Sequence, residues 1–206
     1  MTRPRSRRLL AAATLTLALA PALLLGACGK KPEPPAFKSV DITGADYART
    51  LELPDADGKL RNLGEFKGKL TVVFFGYTQC PDVCPTTLTH LQEVKQLLGK
   101  DGDKLQAVFV TVDPERDTAA LLKAYVTAFD PGWVALRGSP EQIAAAAKEY
   151  KVFYRKAAGK TPESYTVDHT AASYVYDTSG RIRLYVRHSA QPAEIAEDLK
   201  ILLANG

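Results

Sequence analysis

The sequence predicts one α/β domain with a mixed central sheet. Two continuous apolar runs, 69–75 and 105–112, contain β-branched and aromatic residues and are typical of strands buried on both faces. Helical patterns follow both runs, and this alternation favours parallel strand pairing. Two further strand-like runs, 172–177 and 181–187, are separated by a short polar turn, so they form an antiparallel pair. A chain of 206 residues is long enough to bury such a core without disulfide bonds.

The first half of the domain is delimited by turn residues and by helical spacing. Asp57-Gly58 predicts the turn of an N-terminal hairpin. After the first buried strand, apolar residues recur at helical spacing until Gly99 ends the helix. The predicted elements are a hairpin over 49–63, a strand over 69–75, a loop over 76–85, a helix over 86–99 and a strand over 105–112.

The second half is delimited by helix caps. Ser139, Pro140 and Gln142 form a helix start, with a capping serine, a proline in the first turn and a glutamine three residues after the cap. The predicted elements are a helix from Asp117 or Thr118 to about Ala128, a strand over 133–136, a helix ending at Tyr150, an extended segment over 152–156, a polar loop over 158–166, the antiparallel strand pair and a helix over 192–204. We expect core positions for the aromatic residues Phe74, Phe75, Phe109, Tyr125 and Phe153.

The first 27 residues have the pattern of a signal peptide. Residues 1–8 contain four arginines, and residues 9–25 are uncharged and mostly apolar. A transmembrane helix needs about 20 such residues, whereas this run has 17 and is interrupted by Pro21. We therefore predict a cleaved signal over residues 1–27.

The signal peptide ends in Leu25-Gly26-Ala27-Cys28, which resembles the bacterial lipobox. In that motif the cysteine is lipidated and becomes the new N-terminus, so Cys28 is the predicted lipid anchor. Residues 28–44 then form a tether rich in proline and lysine, and residues 45–206 form the domain. These features predict a location in the bacterial cell envelope, attached to a membrane and facing the periplasm or the extracytoplasmic space.

The net charge argues against a nucleic-acid partner. The formal charge of +4 at pH 7 equals the number of arginines in the signal peptide, so the mature chain is formally neutral. A nucleic-acid-binding domain needs a basic face, and the composition has no excess of basic residues to build one.

Cys80 and Cys84 are the candidate reactive groups, because no other cysteine follows Cys28. We expect Cys80 in the loop after the first buried strand and Cys84 at the edge of the next helix, whose N-terminus stabilises thiolates. Three uses of this pair remain open. A structural disulfide would stabilise little because it closes a short loop; a dithiol can exchange with a partner's disulfide; and two soft sulfur ligands suit copper(I). Structural zinc is a poorer match because it usually takes four ligands.

A copper site would be completed by histidine, and the chain has three. His90 lies in the 86–99 helix and His188 lies at the end of a strand, and surface positions are the simplest interpretation of both. His169 precedes a strand that should lie beside the first one, and its neutral imidazole would be a natural third ligand. Asp168 could hydrogen-bond to a group around the site, and copper(II) would need a fourth donor.

Three motifs together resemble the Sco/SenC family. They are the run 75–85 (FGYTQCPDVCP), the run 112–118 (VDPERDT), and Asp168-His169-Thr170 followed by Tyr174. The resemblance covers about residues 45–206. It implies a thioredoxin-like fold and copper bound by Cys80, Cys84 and His169. It also implies a role in assembling the dinuclear copper centre of cytochrome c oxidase subunit II.

Two roles stay open for this domain, so the sequence does not decide whether it is an enzyme. The first is a copper chaperone that passes copper(I) or copper(II) to subunit II or to another copper protein of the envelope. The second is a thiol-disulfide oxidoreductase, in which Cys80 attacks a partner's disulfide and Cys84 resolves the mixed disulfide. The Cys-x-x-x-Cys spacing favours copper, as does His169, which stands where reductases that resemble thioredoxin have a proline. A peroxidase is disfavoured because Thr78 stands two residues before Cys80, not three.

The remaining motif residues have structural interpretations. Asp113-Pro114 predicts a turn that ends a strand, with Arg116 and Asp117 pairing or capping nearby. We expect Tyr77 and the polar loop 158–166 to flank the metal site, and the loop to gate the access of partners.

Overall fold

The structure, a computed structural model, describes residues 36–159, 161 and 164–205. The predicted signal peptide over 1–27, its lipobox and Cys28 lie outside the described residues, as does the tether up to residue 35. Within the described ranges, no helix has both the length and the apolar character needed to cross a membrane.

The described chain alternates strands and helices, as the sequence predicts. The elements are β1 (Val40–Asp41), β2 (Glu52–Pro54), β3 (Leu60–Asn62), β4 (Leu70–Gly76), α1 (Val83–Leu97), β5 (Leu105–Thr111), α2 (Ala119–Thr127), β6 (Val134–Leu136), α3 (Pro140–Glu149), β7 (Tyr154–Ala157), β8 (Thr166–His169), β9 (Ala172–Tyr176), β10 (Ile182–Arg187) and α4 (Pro192–Ala204). Short 3-10 helices cover Leu63–Phe66 and Gly99–Lys104.

Six strands form a central sheet in the order β1-β10-β9-β4-β5-β6. β4, β5 and β6 are parallel, with Val73 opposite Val108 and Val108 opposite Val134. β9 runs antiparallel to β4 and places Tyr174 opposite Val73, and β10 and β1 extend this antiparallel half. Two separate hairpins, β2–β3 and β7–β8, complete the strand pairing. The predicted mixed sheet and N-terminal hairpin are confirmed.

Helices cover both faces of the sheet. β4 is buried along its whole length, and its successive side chains point to opposite faces. On one face Phe75 packs against Tyr150, at the end of α3, with 5.0 Å between the ring centroids. On the other face α1 and α4 pack together, and Val72 meets Leu91 of α1 and Ile195 of α4 around a small cavity. These layers confirm the thioredoxin-like fold that the family resemblance implies.

The differences from the predicted elements have local causes. α1 begins at Val83, three residues before the predicted start, because Asp82 takes the N-cap position and Pro85 is tolerated in a first turn. β1 and β8 are short and carry exposed polar residues, so they lack an alternating apolar pattern. Phe153, expected in the core, is 60% exposed. It precedes β7, whose residues are exposed or only partly buried.

Candidate metal centre

The loop after β4 carries the two cysteines to the N-terminal end of α1. The backbone N–H of Cys80 donates to the carbonyl of Tyr77 at 3.2 Å and closes a turn. α1 begins after its N-cap residue Asp82, so Cys84 lies in the first helical turn, and its N–H donates to the sulfur of Cys80 at 3.4 Å. Cys84 is buried, whereas Cys80 is partly exposed. Both cysteines are where the sequence predicts them.

His169 reaches the cysteines from the end of β8. Its Nε2 lies 3.5 Å from Sγ of Cys84. Its Nδ1 lies 3.1 Å from the carbonyl oxygen of Thr170, and a carbonyl only accepts hydrogen bonds, so Nδ1 carries a proton and Nε2 is the nitrogen that faces the sulfur atoms. The rings of Phe74 and Tyr77 meet the imidazole edge-on, with centroid distances of 5.9 and 6.0 Å, and fix its orientation.

Cys80, Cys84 and His169 form a group that could hold a metal ion. The two sulfur atoms and the imidazole nitrogen all lie within 4.8 Å of one another. Among the residues that the structure describes, this is the one group of three or more Cys, His, Asp or Glu side chains with that geometry. Two soft sulfurs and an imidazole are ligands that copper(I) prefers, so the donor set fits copper.

The two thiols differ in acidity because one stabilises the other. Hydrogen bonds from the Cys84 thiol, from His169 and from backbone amides lower the pKa of Cys80 to about 4. The hydrogen bond between the two cysteines, together with burial, raises the pKa of Cys84 above its ordinary value. Cys80 is therefore the thiolate of the pair at neutral pH, and it is also the more accessible sulfur.

A buried carboxylate supports the cysteine loop. Asp117, which is fully buried, accepts hydrogen bonds from the backbone N–H and the hydroxyl of Thr78. It also accepts one at 2.5 Å from the hydroxyl of Thr111, at the end of β5. Burial raises the pKa of Asp117, although these hydrogen bonds oppose the rise. The sequence predicts pairing or capping for Asp117, but Thr118 caps α2 instead.

The run 112–118, which contains Asp117, also holds the segment before His169 in place. Arg116 donates to the buried carboxylate of Asp113, which also accepts a hydrogen bond of 2.7 Å from the hydroxyl of Tyr165. The guanidinium of Arg116 lies 3.5 Å from the centroid of the Tyr165 ring and donates to its carbonyl at 2.8 Å. The predicted pairing of Arg116 is confirmed, and the described end of the 158–166 loop is tied to this motif.

The structure leaves three other predicted candidates outside the cluster. His90 and His188 line a different cavity, on the side of α1 that faces β10. Asp168, expected to act near the site, forms an exposed ion pair with Arg155 at 3.2 Å.

Two residues that shape the site were not singled out from the sequence. A Cβ atom on Gly76 would lie 2.7 Å from Sγ of Cys84, so only glycine admits the sulfur at this position. A glycine at the end of a buried strand is a usable signal of such a close approach. Tyr165, in a polar loop, carries no comparable signal.

The fold and the cluster define a class: a thioredoxin-like domain in which a cysteine pair and a histidine form a metal-binding group. Residues 40–204 match the family described as SCO1/SenC. The chain belongs to this family.

Relatives of the chain include proteins seen with copper. The SCO2-like protein of Rickettsia felis is 36% identical over 178 residues, which are 83% of this chain and 85% of that protein. The structure of Bradyrhizobium japonicum ScoI with copper bound is 44% identical, covers 74% of this chain and 97% of its own, and has a TM-score of 0.66. Yeast Sco1 with copper bound is 28% identical, covers 76% and 88%, and has a TM-score of 0.68.

Proposed function

We propose that this protein is a membrane-tethered copper chaperone that serves the assembly of the dinuclear copper centre of cytochrome c oxidase. Cys80, Cys84 and His169 are its copper ligands. The proposal is carried by the three ligand atoms within 4.8 Å of one another, in a chain whose relatives include proteins with copper bound in their structures. Copper(I) suits these ligands alone, whereas copper(II) would take a further donor such as water.

The unequal burial of the ligands supports delivery of the metal. Cys84 is buried, and His169 is held between two aromatic rings, whereas Cys80 lies on a loop and is partly exposed. Cys80 is therefore the ligand that a cysteine or histidine of the acceptor replaces first. The acceptor is subunit II of the oxidase or another copper protein of the envelope.

The first test is competition for copper(I) between the reduced protein and a chromophoric chelator without oxygen. We expect one tightly bound copper ion per chain, and at least tenfold weaker binding after His169→Ala. Glu197→Ala is the control because Glu197 is exposed on α4 and lies outside the cluster, so it should leave copper(I) affinity unchanged. Equal affinities for the unsubstituted and His169→Ala proteins would refute this ligand set.

Thiol-disulfide exchange is a second candidate, favoured by the pKa of Cys80, which lies at about 4. A thiolate is the attacking species in exchange, and the buried Cys84 is placed to resolve a mixed disulfide. The test is reduction of a disulfide-containing peptide from the copper acceptor by the reduced, copper-free protein. Trapping of a mixed disulfide on Cys80 in a Cys84→Ala variant would support this role, and complete inactivity with peptide disulfides would exclude it.

The proposed tether explains how such a domain would stay near a membrane-bound acceptor. Residues 1–27 act as a signal peptide, Cys28 is lipidated, and residues 28–44 link it to the domain over 45–206. We expect the membrane fraction of a bacterial host to contain the protein and mass spectrometry to find acyl chains on Cys28. A Cys28→Ser variant should lose the acyl chains without losing copper(I) binding, which separates the anchor from the metal site.

A further inference from the structure

The two histidines outside the cluster share one small cavity. His90 on α1 and His188, just after β10, both line it, together with Thr87, Ser173 and apolar side chains. The cavity has a volume of about 20 Å³. A single water molecule needs at least about 10–15 Å³ by this measure, so the space fits one water or one metal ion.

The hydrogen bonds around Thr87 determine which nitrogen of His188 carries the proton. The hydroxyl of Thr87 donates its one hydrogen to the carbonyl of Val83 at 2.8 Å. Its oxygen lies 3.4 Å from Nδ1 of His188, and with its hydrogen already used it can only accept there. His188 therefore carries its proton on Nδ1 and keeps a lone pair on Nε2.

A hydrogen bond that fixes the tautomer of an imidazole in this way is typical of metal-binding histidines. Metal-binding imidazoles usually donate their second nitrogen's hydrogen to an oxygen, which fixes both tautomer and ring orientation. Thr87 supplies that oxygen for His188, and His90 follows Thr87 by one helical turn on the same side of α1. Arg187 also lines the cavity, but its side chain is exposed at the rim, where solvent and salt screen its charge.

We propose that His90 and His188 form a second metal site, for a divalent cation that prefers imidazole ligands. Thr87 orients His188, and the cation lies at the mouth of the cavity, where solvent completes its coordination. Copper(II) is the cation of this class that such ligands bind most tightly. Because α1 rises about 1.5 Å per residue, His90 lies about 9 Å along the helix from Cys84. The site is thus separate from the cysteine cluster and does not depend on the function proposed for it.

The test removes the first site and measures copper(II) at the second. The background is the full chain in detergent with Cys28→Ser, Cys80→Ser, Cys84→Ser and His169→Ala, which leaves His90 and His188 as its only histidines. Copper sulfate is titrated in and followed by electron paramagnetic resonance. We expect one copper(II) ion per chain with couplings to two imidazole nitrogens, and a loss of affinity of at least tenfold after either His90→Ala or His188→Ala.

Thr87 provides a matched pair of variants. Thr87→Ser keeps the hydroxyl and should keep the affinity, whereas the isosteric Thr87→Val should lower it about 10-fold or more, as loss of an orienting partner does. Binding that is unchanged in the double variant His90→Ala/His188→Ala, or that depends on one histidine alone, would overturn the proposal.

A second measurement uses the unsubstituted chain, so it does not require the multiple variant to fold. Nitrogen-15 NMR of the reduced protein reports the tautomer of each imidazole. We expect the Nδ1–H form at His188 in the metal-free protein. The Nε2–H form at His188 would show that Thr87 does not prepare this ligand, and would overturn the proposal.

Discussion

Cys80 and Cys84 have the same side chain but opposite chemical behaviour, because the hydrogen bond between them charges one and keeps the other neutral. The pKa of Cys80 is lowered to about 4, and that of Cys84 is raised. We expect alkylation of Cys80 by iodoacetamide to proceed at a nearly constant rate between about pH 5 and about pH 8, since Cys80 stays a thiolate throughout. An ordinary thiol, with a pKa of about 8.5, would react about tenfold faster per pH unit over this range. Stopped-flow kinetics with peptide mapping measures the rate at each cysteine.

The control for this prediction is Cys84→Ala, which removes the donor of that hydrogen bond. The pKa of Cys80 should then rise toward the ordinary value, and its alkylation should accelerate with increasing pH. A constant rate in this variant would mean that His169 and the backbone amides are enough to hold the thiolate. A steep pH dependence in the unsubstituted protein would contradict the lowered pKa itself.

At the scale of single elements, Gly76 at the end of β4 determines how closely Cys84 of α1 can approach the strand. A Cβ atom on Gly76 would lie 2.7 Å from Sγ of Cys84 and 2.9 Å from both the Phe74 and Phe109 rings. Gly76→Ala should therefore displace Cys84 or the strand end and destabilise the fold by about 1–3 kcal/mol, as overpacking in a core does. Copper(I) affinity should fall with it. Denaturant unfolding and chelator competition measure the two effects.

Gly132→Ala is the matched control for this glycine. Its added Cβ would meet only one carboxylate oxygen of Asp130, at 3.2 Å. We expect a change in stability within about 0.5 kcal/mol, the usual size for surface substitutions, and unchanged copper(I) affinity. If both alanine variants behaved alike, the close approach of Cys84 to Gly76 would not explain the loss.

A strand can be predicted from the sequence when most of its residues are buried. β4 and β5 are buried at every position, so their continuous apolar runs reveal them. The capping box at Ser139 reveals α3 in the same way. β8 alternates exposed and buried residues over only four positions, so its pattern is too short to recognise. It nevertheless delivers His169 to the site.

The same limit applies to the site. The motifs identify Cys80, Cys84 and His169 as the candidate ligands, because their residue types carry the chemistry. The residues that hold these ligands in place cannot be identified from the sequence in this way. The hydrogen bond between Thr78 and Asp117 joins residues 39 positions apart, and the one between Tyr165 and Asp113 joins residues 52 positions apart. Contacts between such distant positions exist only once the sheet has formed.

At the scale of the whole molecule, the outer edge of the sheet depends on one buried carboxylate. Asp198 of α4 is 1% exposed and accepts hydrogen bonds from the backbone N–H groups of Lys38 and Ser39, at 2.7 and 2.8 Å. These residues lead directly into β1, whose two residues pair with β10. Two strand residues hold an edge weakly, so the carboxylate adds a buried attachment to the segment where the proposed tether enters the domain.

Asp198→Ala should therefore loosen the edge strand and lower the stability of the whole domain. Two backbone N–H groups lose a charged acceptor, and such losses cost about 1–3 kcal/mol. The midpoint of denaturant unfolding should fall with little change in its slope, and trypsin should cut faster after Lys38. Glu197→Ala removes an exposed carboxylate one residue away and should change neither measurement. Copper(I) affinity should stay the same in both variants, because the cysteines follow β4, which β10 and β9 separate from β1. A loss of copper(I) affinity in Asp198→Ala would instead mean that the edge strand and the metal site are coupled through the sheet.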